Sequence, residues 1–133
     1  MSVLLPNKYY TALIMVIAVS FVPLIMIIFG NMFLKNPPKK PNWAFGYRTK
    51  FSVKSQETWD FSQNLIGKYW KTLGLVLLPL SNATLAIMNG CDIDTIGKVV
   101  GVIEIIQCAF MIGATVAVSS KLKKVFDANG VRK

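Results

Sequence analysis

The sequence predicts an all-α integral membrane protein: three transmembrane helices, with a cytoplasmic interfacial amphipathic helix leading into the second. Three observations carry that class. Of 133 residues, 53% are hydrophobic and only 16% are charged, whereas charged residues make up about 25% of an ordinary soluble domain. The apolar residues gather into three runs, each close to or longer than the roughly 20 residues that cross a bilayer as helix. Finally, most of the 15 lysines and arginines flank these runs in just two segments, and that asymmetry sets an orientation.

The first run, 9–34, carries no charge after Lys8. It is too long for the core of a signal peptide and no small-residue cleavage site follows it, so it reads as a retained anchor helix. The second run, 72–89, is uncharged but holds Pro79, Ser81, Asn82 and Thr84, and the third, 96–119, holds one acid, Glu104. A polar segment, 35–71, joins the first two; a short turn, 90–95, joins the second and third; a tail, 120–133, follows. Lys35, Lys39, Lys40, Arg48, Lys50, Lys54, Lys68 and Lys71 lie in the polar segment, and Lys121, Lys123, Lys124, Arg132 and Lys133 in the tail. Only Lys8 and Lys98 remain for the other side. By the positive-inside rule the segment and the C-terminus are cytoplasmic, and the N-terminus and the 90–95 turn face outward.

The polar segment changes character along its length. Residues 36–41 read NPPKKP, and closely spaced prolines fix φ and disfavour helix before them, so the chain leaves the first span as an extended connector. From Ser55 the pattern is helical: Ser55 is a cap, Glu57 sits in the first turn where the helix dipole favours an acid, and no proline follows until Pro79. A helical wheel collects Trp59, Phe61, Leu65, Ile66, Tyr69, Trp70 and Leu73 on one half. Gln56, Glu57, Asp60, Gln63, Asn64, Gly67, Lys68 and Lys71 take the other. A helix over about 55–71 with aromatics on one side and lysines at its border suits the plane of the membrane interface; the alternative is that the apolar half packs as ordinary core. Ahead of it, Gly46 opens a backbone conformation closed to other residues, Arg48 offers a fork of donors, and Thr49, Ser52 and Ser55 cap turns. These residues either fold the loop back under the bundle or present Arg48 and its neighbouring lysines to anionic lipid headgroups at the cytoplasmic face of the bilayer.

Polar residues inside the spans are the second place to look for function. A charged acid at bilayer depth costs roughly 3 kcal/mol by insertion scales, so Glu104 is expected to face the interior and to be protonated or paired. Gln107 and Cys108 lie a turn further along the same face. Asn82, Ser81 and Thr84 are candidate partners, and Pro79 releases the carbonyl of Leu75. This is either a polar site for a proton, an ion or part of a peptide, or a set of interhelical hydrogen bonds that hold the bundle. Helix packing has its own signal: Gly97 and Gly101 form a GxxxG pair, and Ala109, Gly113 and Ala117 repeat the spacing on a neighbouring stripe. Two such stripes exceed what a single neighbouring helix needs, which leads to the expectation of a homo-oligomer.

Several chemistries are set aside. No histidine is present, which removes the commonest metal ligand and general base. Cys91 is expected outside the membrane and Cys108 within a span, which disfavours both a disulfide and a thiolate metal site. There is no phosphate-binding glycine loop or nucleophile elbow. The net charge of +9 flanks apolar runs and forms no soluble basic face for nucleic acid. The Asn82-Ala83-Thr84 sequon falls inside a span. No enzyme activity, cofactor, metal or nucleic-acid partner is expected.

The run PPKKPNWAFGYRTKFSVKSQETWDFSQNLIGK, residues 37–68, resembles the signature of the SdpI family of small bacterial membrane proteins: an Asn, a GYRT-like box, spaced serines, a Trp and a following Asn or Gln. The matching positions are Pro38, Asn42, Gly46, Tyr47, Arg48, Thr49, Ser52, Ser55, Trp59, Gln63 and Gly67; Ser62 departs, standing where a small apolar residue is expected. The resemblance implies a protein of the bacterial cytoplasmic (inner) membrane, and the three apolar runs make this chain a short, three-helix form. It further implies immunity of the kind that binds or blocks a secreted, membrane-active peptide toxin, with signalling through the cytoplasmic loop. The buried acid supports a different expectation, a small oligomeric transporter or channel that places Glu104 and Asn82 along a polar path.

Overall fold

In the computed structural model, residues 8–42 and 46–133 are described; Trp43, Ala44 and Phe45 of the signature run lie outside the described residues. Three helices follow in chain order: α1 (Lys8–Lys35), α2 (Gln56–Ile87) and α3 (Ile93–Val125). The best windows of the three have mean hydropathies of 3.0, 1.3 and 2.1, and each helix is long and apolar enough to cross a membrane. Large apolar side chains cover the outside of the bundle, among them Leu13, Ile17 and Phe21 on α1, Val76 and Leu80 on α2, and Ile105, Ile112 and Val116 on α3. Such a surface is stable against lipid, whereas in water it would exceed any ordinary exposed patch. The protein is a multi-pass helical membrane protein.

The ends of α2 and α3 are written in local chemistry. Ser55, with extended backbone, accepts a bond from the Thr58 amide, while the Thr58 hydroxyl accepts one from the Ser55 amide, so two otherwise orphaned donors are satisfied at the start of α2. Asp92 caps α3 by accepting from Thr95, through its hydroxyl at 2.6 Å and its amide at 3.2 Å. Those hydrogen bonds hold the Asp92 carboxyl below its ordinary value of 3.8, the hydroxyl contributing most. Gly90, at φ 97°, turns the chain between α2 and α3 in a conformation that a side chain would strain.

Segment 55–71 does not stand apart as an interfacial helix. It runs on without a break into the second span, so that α2 is one helix of 32 residues. Its buried stripe also differs from the apolar half of the wheel. Trp59 and Ile66 are fully buried, but so are Thr58, Ser62 and Gln63, and Gly67 is buried with them. The reason is that this stretch meets protein on two sides: the polar loop packs against one face while α1 and α3 pack against the other. Phe61, Leu65, Tyr69, Trp70 and Leu73 border the core formed by Phe33, Tyr47, Ile66, Ala114, Val118, Leu122 and Phe126.

α1 and α2 make the most extensive helix contact, and three glycines explain how their backbones approach. A Cβ on Gly30 would lie 2.6 Å from the Lys71 amide nitrogen, and one on Gly67 would lie 3.0 Å from the Gly30 carbonyl oxygen. At Gly74 it would lie 2.7 Å from the Pro23 carbonyl oxygen. Beyond α3 the tail turns back on itself. Phe126 and Arg132 pair as a short antiparallel bridge, Asp127 Oδ1 accepts from the amides of Asn129 and Val131, and the Lys133 amide donates to the Val125 carbonyl.

Candidate functional site

The signature loop is a built platform whose centre is a carboxamide. Gln63, fully buried on α2, accepts from the Tyr47 amide at 2.8 Å and donates to the Tyr47 carbonyl at 2.7 Å, which completes both backbone groups of one loop residue. Gly46 has φ 108°, and a Cβ there would lie 2.9 Å from Gln63 Oε1 and 3.1 Å from the Trp59 ring, so only glycine fits. Trp59 donates its indole N–H to the Pro38 carbonyl at 2.6 Å, tying the proline connector to the same helix. Ser52 and Thr49 exchange side-chain and backbone bonds in the turn between the GYRT box and α2. Ser62, the departure from the family pattern, bonds back to the Trp59 carbonyl and is touched by the Gln63 amide, so its hydroxyl is accommodated among protein groups.

This platform is joined to α3 and to the tail. The Tyr47 hydroxyl lies 2.9 Å from the Thr115 carbonyl and in hydrogen-bond contact with Ser119. Ser55 donates to the Gly130 carbonyl at 2.8 Å, and Arg132 bridges to Glu57 at 2.8 Å while stacking over the Phe126 ring. Phe126 meets Phe61 edge to face. Arg48 is exposed and reaches the Asn42 carbonyl at 3.4 Å; Asn42 bonds the Lys40 carbonyl in turn. Between loop and α3 lies a cavity of about 560 Å³, bordered by Arg48, Thr49, Ser119, Ser120 and Lys123 over a floor that includes Phe33, Ile66 and Trp70.

Halfway along the bundle the polar residues meet. Gln107, buried in α3, donates to the Val19 carbonyl at 2.7 Å and to the Ser81 hydroxyl at 2.8 Å. Val19 is four residues before Pro23, which has no N–H to offer it, so a side chain from another helix supplies the missing donor. Asn82 donates to Ser20 at 3.1 Å and to the Leu78 carbonyl at 2.9 Å. Glu104 stands half-buried one turn from Gln107, and it does not join Asn82. Glu104 Oε1 and Gln107 Oε1 are both buried with no donor among the described residues. Toward the end away from the basic loop, a cavity of about 790 Å³ opens between the helices, with Asn82 on its wall together with Met15, Leu85 and Ile96.

Among the described residues, the small-residue stripes of α3 do not serve the packing within one chain. Nothing lies within 4 Å of a Cβ built on Gly97, Gly101 or Gly113, and Ala109 and Ala117 are exposed. The glycines that do bring helices together, Gly30 and Gly74 with Gly67, carry no spacing signal because they sit on different helices or seven residues apart. Also missed in the sequence were Pro23 with Val19, Ser20, Thr115, Ser119 and Gly130. The signal for Val19 is the one that marks Leu75: a proline four residues later, here Pro23, leaves its carbonyl without the helical donor.

A three-helix membrane bundle with a polar loop locked beneath its core is a definite structural class. The model of the SdpI/YfhL protein family matches residues 39–118, which include the signature run from Lys39 onward, α2 and most of α3. The chain belongs to the SdpI/YfhL family. No curated protein and no solved structure matches it.

Proposed function

We propose that this chain is an immunity or protection protein of a bacterial cytoplasmic membrane, which binds or blocks a secreted, membrane-active peptide toxin. The observation that carries this reading is the loop: Gly46 and Tyr47 meet the buried Gln63 carboxamide, Trp59 holds Pro38, and Gly67 and Tyr47 reach α1 and α3. A loop that merely connected two spans would not need Gln63, Trp59 and Gly46 in these places. Thirteen of the 15 cations stand in the loop, the tail and the adjoining helix ends, which favours a cytoplasmic loop and C-terminus with the N-terminus outside. In that orientation the 790 Å³ cavity opens toward the side from which a secreted peptide arrives. Peptide contact there reaches the loop through α3, whose Thr115 and Ser119 touch Tyr47. The exposed small-residue stripes of α3 suit contact between copies, as a homo-oligomer requires.

The test is survival of a sensitive bacterium expressing the chain and challenged with toxin-containing supernatants, with Arg48→Ala at matched membrane level as control. Protection that Arg48→Ala reduces supports immunity through the loop; equal protection by both would remove the loop from the mechanism. The unpartnered oxygens of Glu104 and Gln107 favour a second reading, a small oligomeric transporter or channel. In reconstituted vesicles that reading requires proton or cation flux that Glu104→Gln abolishes.

A further inference from the structure

We infer that the 560 Å³ cavity between the signature loop and α3 is a binding site for one anionic phospholipid, with the phosphate held between Arg48 and Lys123 and the start of an acyl chain over Phe33, Trp70 and Val116. This inference rests on the chain being a membrane protein and not on the immunity reading. Two cations, one from the loop and one from α3, border the cavity, and no acidic side chain is among its described lining residues. The hydroxyls of Thr49 and Ser120 stand on the same rim. A guanidinium fork, an ammonium and neighbouring hydroxyls are the donor set that suits phosphate oxygens.

The apolar floor decides between a lipid and a free anion. A soluble phosphate has no use for the aromatic and aliphatic surface beneath the cations, whereas a phospholipid carries glycerol and acyl carbons directly below its phosphate. Depth agrees. The cavity lies where α3 changes from Ala114, Val116 and Val118 to Ser119, Ser120, Lys121 and Lys123, and where α1 ends its apolar run at Phe33 and Leu34 before Lys35. That is the level of the headgroups. The volume also falls within the roughly 300–1,000 Å³ of small-molecule sites.

Trp70, in the floor, gives a local readout. The full chain is reconstituted in phosphatidylcholine vesicles containing either brominated phosphatidylglycerol or brominated phosphatidylcholine with the same acyl chains, and the bromine quenching of tryptophan fluorescence is titrated. The Trp70→Phe variant identifies the component due to this residue. Phosphatidylglycerol is expected to quench Trp70 at lower mole fraction than phosphatidylcholine, and Lys123→Gln to raise the required fraction about fivefold. Ser120→Asp, which removes no contact that holds the fold, is expected to abolish the preference. Lys98→Gln, at the other end of the bundle, is expected to leave it unchanged. Equal quenching by the two lipids, or a preference that survives both Lys123→Gln and Ser120→Asp, would overturn the proposal. So would relief of the preference by millimolar inorganic phosphate, which would assign the site to the free anion.

Discussion

At the residue scale, the substitution of one hydrogen-bond donor for another explains the buried polar side chains. Pro23 removes the amide that would serve the Val19 carbonyl, and Gln107 replaces it from a helix 88 residues away in sequence. Gln107→Leu therefore leaves two acceptors in apolar surroundings and is expected to cost about 1 kcal/mol. In a Pro23→Ala background the backbone amide restored at that position takes over the Val19 carbonyl, and the same substitution is expected to cost measurably less. Thermal unfolding of the four proteins in detergent closes the cycle; equal costs in both backgrounds would show that the proline and the glutamine are uncoupled. The same logic describes Gln63 and Tyr47, where the missing partners are those of a loop without secondary structure. Gln107 is visible in the sequence as a polar residue at depth and Gln63 as a polar residue of the cytoplasmic segment, but each bonds main-chain groups, which have no signature in a list of side chains. For that reason Gln63 could be placed in the family pattern without its role being evident.

At the element scale, the outcome turns on which small residues meet a neighbour. The GxxxG spacing at Gly97 and Gly101 is easy to read, since both glycines lie on one helix. Gly30, Gly67 and Gly74 are the ones at the α1–α2 contact, and no periodicity links two residues on helices separated by a loop. Gly74→Val forces a side chain against the Pro23 carbonyl and Ile27, and is expected to abolish recovery of folded, monodisperse protein. Gly101→Val meets open space and is expected to leave the melting of the chain within about 0.5 kcal/mol of the parent. Size-exclusion chromatography adds a second readout: a stable Gly101→Val that loses a dimer peak would place the stripe between copies. The continuity of α2 has a similar origin. The wheel divides 55–71 into an apolar half and a polar half by composition alone, whereas the structure also buries polar Thr58, Ser62 and Gln63, so the change of composition between 55–71 and the second span marks a change of packing partner and no change of helix.

At the scale of the whole molecule, hydropathy sufficed for the three spans, because each of three helices must satisfy its backbone internally in lipid. How the loop and tail close beneath them was not legible, since it depends on contacts such as Ser55 with Gly130 and Tyr47 with Ser119 that span some 70 residues or more. Two of the tail contacts differ in kind. The Arg132 to Glu57 bridge is half-exposed on both sides and is expected to contribute about 0.5 kcal/mol or less. Phe126 is buried to 1% and meets Phe61, so Phe126→Ala is expected to cost about 3 kcal/mol and to free the tail from the loop. Limited trypsin digestion checks this: cleavage at Lys50 and Lys54 is expected to accelerate in Phe126→Ala and to stay near the parent rate in Arg132→Ala.

The bonds from Tyr47 to Thr115 and Ser119, and from Ser55 to Gly130, also bear on biogenesis. When a ribosome has delivered only the first two helices to the translocon, the loop already has Gln63 and Trp59 but none of its partners beyond residue 93. It can reach its final form only after α3 has crossed and the tail has returned to the same side. Completion of the loop therefore depends on the insertion of α3: a chain that threads its third helix the wrong way leaves Tyr47 without Thr115 and Ser119, and Ser55 without Gly130.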